Sequence, residues 1–335
     1  MSDDEISTED TMRERADESR VKLWLLLGAN RLVVTGVLSI AFFGLFMLGA
    51  ALDPSFPAML QDRTVIKTMF ASMLGALITG VTLVVTISQL IVSQENGPLG
   101  EQRTRMSETM DFRKYTAELV GKPAPADPSA FLRNLVDTTQ TRAEDLRAAV
   151  DGSDPDLRDE VDEFVDSLTG NADTVREQLD GARFGTFDVV YASMNYNYSW
   201  KIFQIERLED DYDDVLDDDQ REALDELRTS LAMFGPAREH IKTLYFQWEL
   251  INLSRLILYV AIPALLIAGM MISFVDASTI TGATLGAANV LWIVGIAFTI
   301  TVVPFLMLTS YVMRIATIAK RTLAIGPLIL RDSQR

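Results

Sequence analysis

Thr68–Ser93 reads TMFASMLGALITGVTLVVTISQLIVS, a stretch with no charged residue and no histidine. As an α-helix it is about 39 Å long at ~1.5 Å per residue, enough to cross the ~30 Å hydrocarbon core of a bilayer. Taken at alternating steps of three and four, it gives Ser72, Gly75, Thr79, Thr82, Thr86, Gln89 and Ser93, every one small or polar. The positions between them are Leu, Ile and Val for the most part. Residues three and four apart share a helix face, so the spacing predicts a stripe of hydroxyls and amides about 33 Å long on an otherwise greasy helix. Asn96 and Gly100 continue the same spacing.

Such a stripe has two physical readings. Lipid offers no hydrophobic drive for helix association, so small residues let helices approach closely and Ser/Thr bond across the contact, which makes the stripe a packing seam. Alternatively, copies of this helix surround a path in a homo-oligomer and the hydroxyls line water, polar enough to wet and weak enough to release an ion. Gln89 is the one large polar side chain in the stripe and marks the constriction of such a path.

Three further runs have the same character. The spans are predicted at about Leu32–Leu52, Thr68–Ser93, Leu256–Val275 and Val290–Met313. Each is long enough to cross a bilayer, with Asp53-Pro54 closing the first. Pro263 and Pro304 stand near the middle of the third and fourth, where neighbouring helices can satisfy the carbonyls that proline frees.

Orientation follows from Lys and Arg. The loop 53–64 has Arg63 alone, and the loop 276–289 has neither residue type. The other side has Arg13, Arg15, Arg20, Lys22 and Arg31, then Arg103, Arg105, Arg113 and Lys114, and at the second hairpin Arg255, Arg314, Lys320 and Arg321. The short loops are therefore expected outside, and both termini and the middle segment in the cytoplasm. No Asp, Glu, Lys or Arg lies deep in a span, which argues against a proton-coupled transporter. Arg255 and Arg314 are expected to snorkel to the cytoplasmic face.

The charge sits between the hairpins. Residues 95–249 hold 35 acidic and 17 basic residues, more than the whole chain's net −17. Of 47 acids 29 are Asp, and 23 Arg stand against 7 Lys. A dense carboxylate surface of this kind suits a salt-saturated cytoplasm, where screening is nearly complete. It also excludes the basic footprint of a nucleic-acid-binding protein.

The middle segment is predicted to be helical. Leu157, Val161, Phe164 and Leu168 recur at 3.6-like spacing. Leu99–Val120 is read as a straight continuation of the second span, and Phe187–Leu208 as one aromatic-rich helix. Asp219 is read as the cap of a later helix with Glu222 as its capping-box partner, and Pro236 as a kink or restart within it. The chain is thus read as all-α: a four-helix transmembrane domain with a cytoplasmic helical bundle inserted between the second and third spans. The segments are a disordered acidic 1–20, a transmembrane hairpin 21–94, the acidic bundle 95–249, a second hairpin 250–318 and a cytoplasmic tail 319–335. Residues 1–20 begin with acid and are not expected to be a signal peptide.

Catalytic signatures are not found. The absence of cysteine excludes disulfides and thiolate chemistry. The lone His240 reads as a solvated helix residue. Glu209–Asp219 (EDDYDDVLDDD) lacks the glycine and spacing of a calcium loop and reads as a solvated acidic loop. Gly97-Pro98-Leu99-Gly100 is no phosphate loop. No enzyme activity, cofactor or metal is expected. The expected partners are membrane lipid, further copies of the chain and inorganic ions. The tract Tyr191–Trp200 (YASMNYNYSW) reads as core or a subunit contact.

Residues 88–103 (SQLIVSQENGPLGEQR) resemble the end of the second span in uncharacterised four-span membrane proteins of salt-loving archaea. The resemblance implies the four-span layout and no activity. The layout is also similar, as architecture alone, to bestrophin-type anion channels, whose neck of spaced aromatics is missing from this second span. On these grounds the leading expectation is an oligomeric ion channel lined by the second span. The other is a membrane-anchored scaffold or sensor whose cytoplasmic bundle binds a partner protein.

Overall fold

The computed structural model describes residues 20–53, 55–183, 185–276 and 280–321. Nearly all of the predicted disordered N-terminus and most of the C-terminal tail lie outside the described residues. The chain runs α1 (Arg20–Leu23), one π-helical turn (Trp24–Gly28), α2 (Arg31–Leu52), α3 (Phe56–Met59), α4 (Arg63–Glu95) and α5 (Leu99–Val120). It continues through α6 (Pro128–Ala149), α7 (Pro155–Leu179), α8 (Phe187–Met194), α9 (Tyr198–Asp211), α10 (Asp218–Ser273), a hairpin of β1 (Ala283–Thr284) and β2 (Ala287–Ala288), and α11 (Asn289–Arg321). Four helices, α2, α4, α10 and α11, are long and apolar enough to cross a membrane.

Two compact units divide the described residues: 24–96 with 247–317, and 97–246 with 20–23 and 318–321. In the first, apolar side chains close two clusters. One joins Phe70, Ala268, Val294 and Ala297 with Leu60 from the short α2–α4 connection. The other joins Val84, Leu253, Ile257, Met307 and Tyr311. Phe298 is ringed by Phe42, Phe46 and Phe70 at centroid distances of 5.6, 5.7 and 6.4 Å. The ends of α2 and α4 are fixed by local caps: Asn30 Oδ1 accepts from Leu32 N, and Asp62 Oδ1 from Thr64 N, each at 2.8 Å.

The second unit is the acidic one. Each of α6 and α7 begins with an aspartate cap followed by proline at the first helical position, where the missing N–H costs nothing. Asp127 Oδ1 accepts from Ala130 N and Asp154 Oδ1 from Asp156 N, both at 2.9 Å. The predicted face Leu157, Val161, Phe164 and Leu168 is buried, and so are Leu132, Leu135 and Val136 of α6 and Leu227, Leu231 and Phe234 of α10. Tyr196 and Tyr198 of the aromatic tract are buried core residues, with Tyr196 Oη and Thr139 Oγ1 2.5 Å apart.

The structure departs from the sequence expectations in several places. Helix α4 ends at Glu95 and α5 starts at Leu99, with Pro98 as its N-cap, so the second span does not run on unbroken. Pro98 has no N–H and restricts Gly97 before it. The aromatic tract is two helices, because the Asn195 carbonyl accepts from Asn171 Nδ2 at 2.9 Å instead of continuing the ladder. Helix α10 passes through Pro236 without a break. Its capping box lies two residues earlier than predicted. Asp217 Oδ1 accepts from Gln220 N at 2.9 Å, and Gln220 Oε1 accepts from Asp217 N at 3.1 Å. A side chain that can bond back to the cap made the earlier pair win. Finally, the otherwise helical chain contains the two-residue strands of the 283–288 hairpin, paired Ala283 with Ala288 and Thr284 with Ala287.

Candidate functional site

All seven residues of the stripe, Ser72, Gly75, Thr79, Thr82, Thr86, Gln89 and Ser93, are exposed on the chain. The buried face of α4 explains why. Phe70, Leu77 and Val84, seven residues apart, are the side chains it turns into its own unit. Ser72, Thr79 and Thr86 follow them by two residues, about 200° around a helix of ~3.6 residues per turn, and Gly75, Thr82 and Gln89 by five, about 140°. From Ser72 to Thr86 the stripe therefore faces away from the chain's other long helices, while at Gln89 and Ser93 it comes to the border of α10. The flanking Ile78, Leu83, Leu90 and Val92 are exposed with it.

Two glycines mark the two faces. A Cβ on Gly75 would meet nothing within 4 Å. A Cβ on Gly80 would lie 3.0 Å from Phe305 Cε1 and 3.4 Å from Cζ. Gly80 thus lets α4 and α11 approach, while Gly75 leaves an open notch on the outer face.

The stripe's three threonine hydroxyls are bonded within the helix. Thr79 Oγ1 donates to Gly75 O at 3.0 Å, Thr82 Oγ1 to Ile78 O at 2.8 Å, and Thr86 Oγ1 to Thr82 O at 2.9 Å. Gln89 and Ser93 border a shallow groove of about 350 Å³ with Val85, Ser88, Val92, Ser254 and Leu258. Ser88 and Ser254 share a hydrogen bond there, joining α4 to α10.

A second polar constellation joins Arg31 and Arg314. Arg31 and Arg314 are both buried. The Arg31 guanidinium donates to Leu25 O (2.9 Å), Leu26 O (3.2 Å), Ala29 O (2.6 Å) and Ser310 O (3.2 Å). Arg314 Nη2 donates to the same Ala29 O at 2.5 Å. Arg31 thus supplies donors to Leu25 and Leu26 of the π-helical turn, and both arginines meet on the carbonyl of Ala29 just after it. Thr35 Oγ1 and Ser310 Oγ lie 3.3 Å apart beside the pair, and buried Tyr311 has Glu249, Arg314 and Arg31 within electrostatic reach. Arg314 thus turns inward and does not snorkel, whereas Arg255 is exposed. The sequence showed these arginines at the ends of spans. It gave no sign that the carbonyls of residues 25–29 would be brought to them.

In the acidic unit, exposed His240 lines a groove of about 440 Å³ with Phe112, Phe131, Pro236, Ile241 and Leu244, while Glu108 and Arg113 add charge to it. Arg113 closes the adjoining loop by donating to Ala124 O and Pro125 O at 2.6 and 2.8 Å. The acidic run is partly spent on structure: Glu209 pairs with Arg228 at 2.7 Å and Asp213 with Arg221 at 2.8 Å. Tyr212 Oη donates to Glu160 at 3.0 Å, and burial with that bond pushes its pKa up to about 12. Among the described residues no group of three or more His, Cys, Asp or Glu is placed to hold a metal ion.

The chain matches, over residues 1–335, the family described as "Family of unknown function (DUF7972)", and belongs to it. No curated protein and no solved structure matches it.

Proposed function

We propose that this member of a family of unknown function is a homo-oligomeric membrane protein in which copies of α4 surround a shared path for inorganic ions. The observation that carries the reading is the direction of the stripe. Seven small or polar residues spaced along a span-length helix point away from the chain's own core. A lone subunit thus presents to its surroundings the surface that a neighbour or a water-filled lumen accepts at least cost. Gln89 is the constriction, with Thr82 and Thr86 on its outward side and Ser93 on its cytoplasmic side. The Lys and Arg distribution supports a multi-pass protein of the cell membrane with both termini and the acidic unit in the cytoplasm. Neither an enzyme activity nor nucleic-acid binding enters the proposal, and the acidic composition supports a salt-rich cytoplasm.

The test is single-channel recording of the purified protein in planar bilayers at molar salt, beside Gln89→Leu and Thr82→Val. Discrete currents whose conductance shifts in Gln89→Leu place α4 on the path. Currents indifferent to both substitutions, or silence from folded oligomeric protein across voltage, overturn it.

One observation favours a scaffold in the second case. In α5 every described residue from Leu99 to Asp111 is exposed, Leu99, Met106 and Met110 included. The first half of α5 has no packed face, unlike the second half where Thr116 is buried, and a partner protein would bury that first half. Co-purification of a stoichiometric partner that Met106→Glu and Met110→Glu abolish would establish that role.

A further inference from the structure

The hairpin between α10 and α11 presents an apolar side chain in a conformation that disfavours it. Leu285 has φ 53° and Gly286 φ 81°, the two positive values of a tight I′ hairpin turn. Glycine and asparagine take the first of these positions readily, and a bulky residue there is an outlier. Leu285 is nevertheless 89% exposed, at the tip of a turn that covers none of its own core with it.

The turn is held firmly. Asn289 N donates to Gly282 O at 3.0 Å, and Asn289 Nδ2 to Thr281 O at 3.0 Å. Thr284 Oγ1 donates to Asn289 Oδ1 at 2.7 Å. Trp292 Nε1 donates to Thr284 O at 3.0 Å. That last bond fixes where the tip lies. Trp292 is three residues into α11, so the hairpin folds back along the first turn of the helix. Leu285 shares a groove of about 480 Å³ with Trp292 and Ile293. Ile293 and then Ile296 carry the same exposed apolar surface down the span. From 280 to 289 the loop has no charged residue.

We propose that this hairpin is seated in lipid, with Leu285 entering the leaflet at the level of Trp292 and the groove beneath it taking an acyl chain. The inference rests on the reading that α11 spans a bilayer. Tryptophan at a span's end sits at the headgroup boundary, and the indole here is tied to the hairpin backbone. An uncharged tip continuous with a lipid-facing helix surface has the lipid as its occupant. A strained leucine there gains a contact that asparagine would not make.

The chain has no cysteine, so one introduced thiol can be labelled alone. Leu285→Cys, Ile296→Cys and Asp151→Cys, each in the full chain and each carrying an environment-sensitive fluorophore, are reconstituted in phosphatidylcholine–phosphatidylglycerol vesicles. A fraction of the lipid carries a nitroxide high on the acyl chain. The expected result is a blue-shifted Leu285→Cys probe that lipid nitroxide quenches several-fold more than iodide does, as for Ile296→Cys and opposite to Asp151→Cys. Lipid quenching at Ile296 with iodide quenching at Leu285 overturns the hairpin proposal and leaves the spanning helix intact. A Leu285 probe reached by neither quencher means protein covers it, and also overturns the proposal. Iodide quenching at Ile296 itself removes the premise.

Discussion

Substituting leucine at Gly75 and at Gly80 separates the inner face of α4 from its outer face. In a helix interior glycine is about 0.8–1 kcal/mol less favourable than alanine, and leucine is close to alanine, so each change gains roughly that amount from the backbone. At Gly80 the new side chain meets the Phe305 ring, 3.0 Å from where its Cβ would stand. Overpacking of this kind typically costs ~1–3 kcal/mol, which outweighs the gain. Gly80→Leu should therefore lower the unfolding temperature of the single subunit in detergent. At Gly75 the Cβ has nothing within 4 Å, so the single subunit should be unchanged or slightly stabilised. Any loss must come from outside the chain. If copies approach across the stripe, the same ~1–3 kcal/mol falls on each contact between subunits, roughly a 5- to 150-fold weakening per contact. Intrinsic fluorescence during heating reads the subunit, and native mass spectrometry across a dilution series reads the assembly. A Gly75→Leu protein that keeps its subunit number to the same dilution as wild type refutes the assignment of this face to neighbouring copies.

Three other outcomes are expected. Arg31→Leu should destabilise the unit formed by 24–96 and 247–317 by about 3–5 kcal/mol, because several carbonyls lose their donor at ~1–3 kcal/mol each. Tryptic cleavage after Lys22 should accelerate with it, Arg31→Lys should recover only part, and wild-type cleavage kinetics in Arg31→Leu would contradict the role given to the guanidinium. Asp217→Ala should lower the urea midpoint of the chain by an amount worth about 1 kcal/mol through loss of the α10 cap, and an unmoved midpoint would show the capping box to be idle. Tyr212, raised to about 12 by burial and the bond to Glu160, keeps its proton in the folded state where an unfolded tyrosine has lost it. Stability should thus fall as pH rises from about 10 toward 12, and Tyr212→Phe should flatten that limb of the curve.

The four helices long and apolar enough to cross a membrane were legible because uncharged apolar runs of about twenty residues match the thickness of a bilayer and exceed what a water-soluble core helix needs. The buried face of α7 was legible because its period is helical. The stripe's members were legible from spacing alone. Its direction was not, since that depends on which face of α4 the other helices cover, and Phe70, Leu77 and Val84 do not differ in kind from the exposed Leu83 and Ile87. The break after Glu95 had a signal in Gly97-Pro98 that the run of helical spacing overrode. The capping box was misplaced because Asp217, Asp218 and Asp219 all qualify as caps, and only Gln220 reaching back decides among them. The hairpin has no sequence signal, because two-residue strands are too short to alternate and Leu285 stands where asparagine usually marks such a turn. The Arg31–Arg314 arrangement was beyond reach: its acceptors are backbone carbonyls, and two of its parts lie 279 residues apart.

The threonines of α4 have one more consequence, for how the protein is made. Because Thr79, Thr82 and Thr86 each donate to a carbonyl one turn back, a copy inserted as proposed carries these three hydroxyls into hydrocarbon already satisfied. Insertion then need not be coupled to assembly. In the assembly proposed above, a solitary chain can persist in the bilayer until others reach it, and synthesis rate rather than a dedicated assembly factor can set how many complete complexes a cell holds.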